Sequence, residues 1–319
     1  MKIAFRHLPF TGEQRACLDQ IAAGSGYETL WCEGGDLPDD AALKDIEILM
    51  GYFPPDLLKD MPALKWLQTP AAGVERWCAD IYPHANVVLT NCSGAFGVAI
   101  SEFMLTGLLM LMRNMPAYMA NQRAHLWKGA GICRSVCGST ITVVGMGDIG
   151  RKFAARAKAL GARVRGVRRN PGESVESFDE IYGASGLKQA VSGVDAVVMC
   201  LPGTRETASM LSRDIIGAMD PRTIVVNCGR GATLDQAALV DALREGRIAG
   251  AVLDVFSVEP LPADSPLWDM DNVIVTPHIS GHDDDPINAA AIFNIFQDNL
   301  RRYLAGQPLN HVVDRARGY

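Results

Sequence analysis

Six residues, Gly145-Met146-Gly147-Asp148-Ile149-Gly150, follow the β-branched run TITVV and open the amphipathic stretch IGRKFAARAKAL. A chain that leaves a strand and enters a helix within so few residues must turn sharply, and glycine tolerates the backbone conformations such a turn demands. The spacing assigns each glycine its own task. Gly145 makes the turn, Gly147 lets the backbone come close to an anion, and Gly150 lets the helix pack against the strand. Asp148 and Ile149 open the helix, whose first amides and dipole favour negative charge. The turn is therefore expected to cradle the pyrophosphate of a dinucleotide; the plainer reading, a structural turn, lacks a reason for all three glycines.

The surrounding chain supports a sheet around this turn. Between about residues 139 and 280 the runs TITVVG, RVRGV, VDAVVMC, RTIVVN, IAGAVLD and NVIVTP alternate with helical patterns such as LDQAALVDALREG, the mark of βαβ units and a parallel sheet. A second, weaker series, KIAF, YETLW, IEILM, LKWLQT and NVVLT, fills the first 95 residues between Gly- and Pro-rich turns. The expected fold is α/β with two doubly wound domains and a cleft between them. Residues 96–284 form a Rossmann dinucleotide-binding domain, and residues 1–95 with 285–319 a smaller flavodoxin-like substrate domain. Val98 to Arg113 reads as one apolar helix, and Asn288 to Leu304 as a last helix that returns to the smaller domain.

Composition narrows the function class. With 48% hydrophobic and 21% charged residues and a net charge of −6, the chain is an ordinary globular protein with no call for a nucleic-acid partner. Its longest apolar stretch, Phe103 to Met112, falls short of the roughly 20 residues of a membrane span. The opening MKIAFRHLPF lacks the apolar core of a secretory signal, so a cytoplasmic location is expected. The eight cysteines are scattered, several in apolar runs, and read as reduced thiols. Neither the CxxxC of Cys133 and Cys137 nor His282 with Asp283, Asp284 and Asp285 has the register of a metal site, and no metal is expected.

A dinucleotide loop that selects NAD places an acid at the end of the next strand for the ribose hydroxyls. Here Arg168 and Arg169 follow RVRGV instead, and guanidinium groups suit a 2′-phosphate. NADP is the expected cofactor with NAD admitted, against a solvated basic face as the alternative. Three later residues lie just past strand ends, where the ligand crevice of an open α/β sheet forms: Arg230 in NCGRG, Glu259 in DVFSVEP and His278 in TPHISG. Each alone has an ordinary structural explanation. Together they match what reduction of a 2-oxo acid requires: His278 as general acid, Glu259 to hold and stabilise its charged ring, and Arg230 to anchor the carboxylate and polarise the carbonyl.

The stretches VVGMGDIGRKFAARAKALGARV, VVNCGRGATLDQAALVDALREGRIAGAVLDVFSVEPLP and VIVTPHISG resemble the D-isomer-specific 2-hydroxyacid dehydrogenase family over nearly the whole chain. The resemblance implies the same roles for Arg230, Glu259 and His278. It adds backbone amides of Ala72, Gly73 and Val74 for the substrate carboxylate, Asp254 for the nicotinamide carboxamide, Leu201 and Pro202 on the adenosine side, and Cys228, Gly229 and Ser280 near the cofactor. It implies a homodimer, since the segment Tyr118 to Trp127 looks like the aromatic-bearing helix that some family reductases send into a partner, with a core helix as the alternative reading of that segment. Arg168 in place of the usual acid makes the chain look like the NADPH-preferring members. The lack of a regulatory extension after the last residue disfavours the longer phosphoglycerate dehydrogenases. The alternatives left open are a phosphoglycerate dehydrogenase-like enzyme and an NAD(H)-sensing, corepressor-like protein, because fold does not fix function.

Overall fold

The structure is a computed structural model that describes residues 1–34, 36–172 and 174–318. The chain divides into two compact units, residues 1–96 with 282–319, and residues 97–281.

In the first unit, β1 (Lys2–Arg6), β2 (Glu28–Cys32), β3 (Ile46–Gly51), β4 (Trp66–Gln68) and β5 (Val88–Thr90) form a parallel sheet in the order β2-β1-β3-β4-β5, with helices α1 (Gly12–Ala23) and α2 (Asp40–Leu43) in the connections. This is the flavodoxin-like strand order. All six residues of β3 are buried, as expected for a central parallel strand covered on both faces.

The second unit opens with α3 (Gly97–Met112) and α4 (Met115–Arg123). It continues with β6 (Thr140–Val144), α5 (Asp148–Ala159), β7 (Arg163–Arg168), β8 (Glu180–Gly183), α6 (Leu187–Ala190) and β9 (Ala196–Met199). α7 (Arg213–Ile216), β10 (Ile224–Asn227), α8 (Gln236–Arg244), β11 (Gly250–Leu253) and β12 (Val273–Val275) complete it. Its strands pair in parallel in the order β12-β11-β10-β9-β6-β7-β8, so the winding reverses between β6 and β9. The helix α3 lies close on the sheet because Gly107 carries no side chain where a Cβ would meet Val252 Cγ1 at 2.6 Å. Among the described residues no single helix is long and apolar enough to cross a membrane, and a 69° bend separates α3 from α4.

The six expected strand runs of this unit all form, and the sheet gains a seventh strand, β8, that periodicity does not reveal. EIYG is short and half-buried at a sheet edge, so it lacks the continuous apolar signature of the central strands.

Register carries the functional consequence. Val167, Val144, Met199, Asn227, Leu253 and Val275 lie in one row across β7, β6, β9, β10, β11 and β12. The next residue of each strand or its loop is therefore Arg168, Gly145, Cys200, Cys228, Asp254 or Thr276, all brought to a single edge of the sheet although they span more than a hundred positions in sequence.

The last helix, α9 (Pro286–Leu304), belongs to the first unit. Tyr303 stacks on Trp66 with ring centroids 5.1 Å apart, and its hydroxyl donates to the buried Glu47 carboxylate at 2.7 Å. The Tyr27 hydroxyl donates to the same oxygen at 2.7 Å, and Lys65 Nζ lies 3.2 Å from the other. A boundary at 284/285 would assign Asp283 and Asp284 to the dinucleotide unit; their contacts place them in the first. Asp283 faces Tyr52, Asp284 pairs with His282 at 3.0 Å, and Asp285 caps α9 by accepting from Ile287 N at 2.9 Å.

Candidate active site

At the end of β6, Gly145 adopts φ +103°, in the left-handed region, and a Cβ there would meet the Cys200 carbonyl oxygen at 2.6 Å. A Cβ on Gly150 would land on the Gly145 carbonyl and press Val143, so only glycine allows α5 to approach β6 this closely. Gly147 differs: it is exposed, a Cβ on it would meet nothing within 4 Å, and it precedes α5 without a side-chain cap. The first turn of α5 thus presents uncapped backbone to open space, the fit a pyrophosphate requires. Asp148 is drawn aside by Lys152, 3.0 Å away on the next turn, and Ile149 is half-buried.

On one flank of this turn, Arg168 ends β7 and its Nε donates to the Pro171 carbonyl at 2.6 Å. The guanidinium fits beneath Gly172, where a Cβ would meet Arg168 Nη2 at 2.8 Å. Arg169 pairs with Glu206. On the other flank, Leu201 and Pro202 follow β9, and Gly229 packs so tightly on that turn that a Cβ would lie 2.8 Å from the Leu201 carbonyl oxygen. Burial pushes the Cys200 thiol up to about 12 and the Cys228 thiol well above its usual value, so both stay protonated and serve as small apolar groups.

Arg230 follows β10 in an extended conformation, with its carbonyl accepting from Thr233 Oγ1 at 2.7 Å and its Nη1 donating to the Gly229 carbonyl at 2.8 Å. Its neighbour Gly231 lies against the Phe256 backbone so closely that a side chain would collide with it. Phe256 N in turn donates to Glu259 Oε1 at 2.9 Å, which links the arginine loop to the glutamate turn. Glu259 Oε2 lies 2.8 Å from His278 Nδ1. One carboxylate oxygen is thus tied to the backbone and the other holds the imidazole, leaving Nε2 as the ring's remaining proton site.

His278 has φ +55°, which few residues other than glycine adopt, so something must hold its loop. Asp254 does so. Fully buried at the end of β11, it accepts through Oδ1 from Thr276 Oγ1 at 2.6 Å and Ile279 N at 2.9 Å, and through Oδ2 from Ser280 N at 2.9 Å. These bonds bracket His278 on both sides. Ser280, a residue the resemblance places near the cofactor, joins this clamp through its backbone amide. The clamp role of Asp254 was not visible in sequence, because Asp254 and Ser280 lie 26 positions apart and meet only through strand register. Phe256, Leu261, Trp268, Val275 and Pro277 line an apolar cavity of about 390 Å³ beside the Glu259–His278 pair.

Ala72, Gly73 and Val74 follow β4 in the first unit. Asn91 Nδ2 donates to the Ala72 carbonyl at 2.8 Å and Cys92 N to the Ala71 carbonyl at 3.0 Å, while Val74 is buried. Inward anchoring of its carbonyls fixes this loop. In the same unit Asp283 lies beside the Tyr52 hydroxyl, and burial raises its carboxyl above the usual aspartate range.

The model of the D-isomer specific 2-hydroxyacid dehydrogenase NAD-binding domain matches residues 105–280. Among curated proteins, the chain is 31% identical over 271 residues to glyoxylate/hydroxypyruvate reductase B of Pectobacterium atrosepticum, covering 83% of each. It is 30% identical over 268 residues to D-3-phosphoglycerate dehydrogenase of Methanocaldococcus jannaschii, covering 81% of this chain but 49% of that one, so it spans about half the length of that relative. Among solved structures, a D-isomer specific 2-hydroxyacid dehydrogenase of Xanthobacter autotrophicus in complex with NADPH superposes with a TM-score of 0.84 at 30% identity, covering 100% and 99% of the two chains. An NADPH-dependent glyoxylate/hydroxypyruvate reductase of Sinorhizobium meliloti in complex with NADP gives 0.81 at 28% identity, with all of both chains covered.

Proposed function

Because the chain belongs to the D-isomer specific 2-hydroxyacid dehydrogenase family, we propose that it reversibly reduces a small 2-oxo acid to the D-2-hydroxy acid, with NADPH preferred over NADH. The observation that carries this reading is the Glu259–His278 pair at 2.8 Å, presented by a loop that Asp254 clamps. A reduced nicotinamide, when bound, supplies the hydride. His278 delivers the proton from Nε2 to the substrate's carbonyl oxygen, and Glu259 at Nδ1 fixes the orientation of the ring. Arg230 holds the carboxylate with its planar fork and favours the negative charge that grows on the carbonyl oxygen. In the reverse direction neutral His278 takes the proton back.

The uncapped amides at the start of α5 are suited to the pyrophosphate, and Arg168 and Arg169 to a 2′-phosphate. Ala72, Gly73 and Val74 offer amides to the carboxylate, and Asp254 retains acceptor capacity for a carboxamide while holding its loop. The protein works as a homodimer in this reading. Exposed Leu126, Trp127 and Ile132, at 55%, 105% and 93% of full accessibility, supply apolar surface for a second copy.

The test is loss of reduced-nicotinamide absorbance with NADPH and NADH, each against glyoxylate, hydroxypyruvate, pyruvate, phenylpyruvate and 2-oxoisocaproate. Oxidation of NADPH with one of these acids, abolished in His278→Ala while dinucleotide binding persists, is the expected result. Turnover unchanged in His278→Ala would remove the assignment.

A further inference from the structure

The glycine turn at the end of β6 is flanked by two loops, because β7 and β9 are the neighbours of β6 in the sheet. The loop after β7 carries Arg169 and the loop after β9 carries Glu206, and the two side chains form an ion pair. That pair crosses the carboxyl edge of β6, on the side of the glycine turn where the end of β7 meets an adenosine ribose in folds of this type. Glu206 is held there by its own turn: Thr207 Oγ1 donates to the Pro202 carbonyl at 2.6 Å and accepts from Thr204 N at 2.9 Å, and Ala208 N donates to the Thr204 carbonyl at 3.0 Å. Arg169 thus faces a carboxylate, while Arg168 Nε donates to the Pro171 carbonyl.

The electrostatics of this arrangement oppose one another. A 2′-phosphate carries about −1.5 to −2 charge, so it is attracted by both guanidiniums but repelled by Glu206, and it competes with that carboxylate for the donors of Arg169. A ribose 2′-hydroxyl is a donor as well as an acceptor, and a carboxylate is the group that binds it in NAD-selective sites. Position 168 lacks that carboxylate; Glu206 brings one in from the opposite loop. We propose that Glu206 is a specificity-determining residue that moderates the preference for NADPH, withholding Arg169 from a 2′-phosphate and offering its carboxylate to a 2′-hydroxyl. This rests on the dinucleotide-dependent function proposed above.

The experiment is direct binding, by calorimetry and by quenching of tryptophan fluorescence, of NADPH, NADH, 2′,5′-ADP and ADP to wild type, Glu206→Gln, Glu206→Ala and Glu206→Gln/Arg169→Ala. Since Glu206 is 69% exposed, both single variants are expected to fold, which their circular dichroism checks. Glu206→Gln should tighten NADPH and 2′,5′-ADP by about fivefold, the scale of an exposed ion pair, and weaken NADH, so that the affinity ratio rises by about tenfold. Adding Arg169→Ala should cancel the gain for the phosphorylated ligands. A ratio within about twofold of wild type in both Glu206 variants overturns the inference. If Arg168→Asp nevertheless shifts the ratio, the cofactor reading survives and the role of Glu206 alone fails. Wild type that binds neither dinucleotide removes both.

Discussion

Replacing Asp254 by Asn tests whether the histidine loop is positioned as its hydrogen bonds indicate. The amide can keep one oxygen toward Thr276 Oγ1 and Ile279 N, but its NH₂ then faces Ser280 N–H, a donor against a donor in a fully buried site. One hydrogen bond to a charged group, worth about 1.5–3 kcal/mol, is lost, and the two that remain weaken as their acceptor becomes neutral. About 3 kcal/mol of local order is at stake, and each 1.4 kcal/mol expressed at the transition state is about tenfold in rate. We expect kcat/KM to fall by about 100-fold, mostly in kcat, because the proton donor spends less time in place. Hydrogen exchange at the amides of Ile279 and Ser280 should accelerate in parallel. A variant within about threefold of wild type in kcat/KM, with both amides still protected, would refute the clamp.

Other perturbations follow from the same geometry. Arg168→Asp should weaken NADPH by about 10- to 100-fold while changing NADH far less, measured as dissociation constants. Gly150→Ala should abolish dinucleotide binding and lower Tm, since the added methyl lands on the Gly145 carbonyl and forces α5 away from β6. Glu47→Gln should cost about 1–2 kcal/mol in denaturant unfolding, as two tyrosine hydroxyls and Lys65 lose a charged partner. Burial acts to raise the Glu47 carboxyl, but the hydroxyls of Tyr303 and Tyr27 and the Lys65 ammonium outweigh it and hold it below its ordinary value of 4.5. Its stabilisation is thus complete above the unfolded glutamate range and lost as pH falls through the lowered folded value, so the gap between wild type and Glu47→Gln should close in acid. A gap that stays constant from neutral pH down to the acid transition would contradict that sign.

Much of the site was legible because its parts are local. The glycine turn is written in six consecutive residues whose steric needs are met by the strand before and the helix after it, and Arg168, Arg230, Glu259 and His278 each stand just past a recognisable strand run. The acidic segment illustrates the limit. Asp283, Asp284 and Asp285 read alike in sequence, yet one is half-buried against Tyr52, one pairs with His282 and one caps α9. Identical side chains were separated by burial and partners, neither of which a run of aspartates encodes.

The sequence by itself determined most of the strand and helix segments and the glycine turn, because these follow from local sterics and from periodicity in apolar residues, and it marked out the candidate residues for moving a proton or holding an anion by their chemistry and their place past strand ends. Only the tertiary structure decided which of those residues meet. Strand order put β7 and β9 on either side of β6, so that Arg169 reaches Glu206 across 37 positions, and parallel register set the end of β11 beside the end of β12, so that Asp254 clamps the loop of His278. Such pairings depend on how distant strands are wound into one sheet, and the energy that selects the winding is spread over the whole core rather than held in the few residues it brings together.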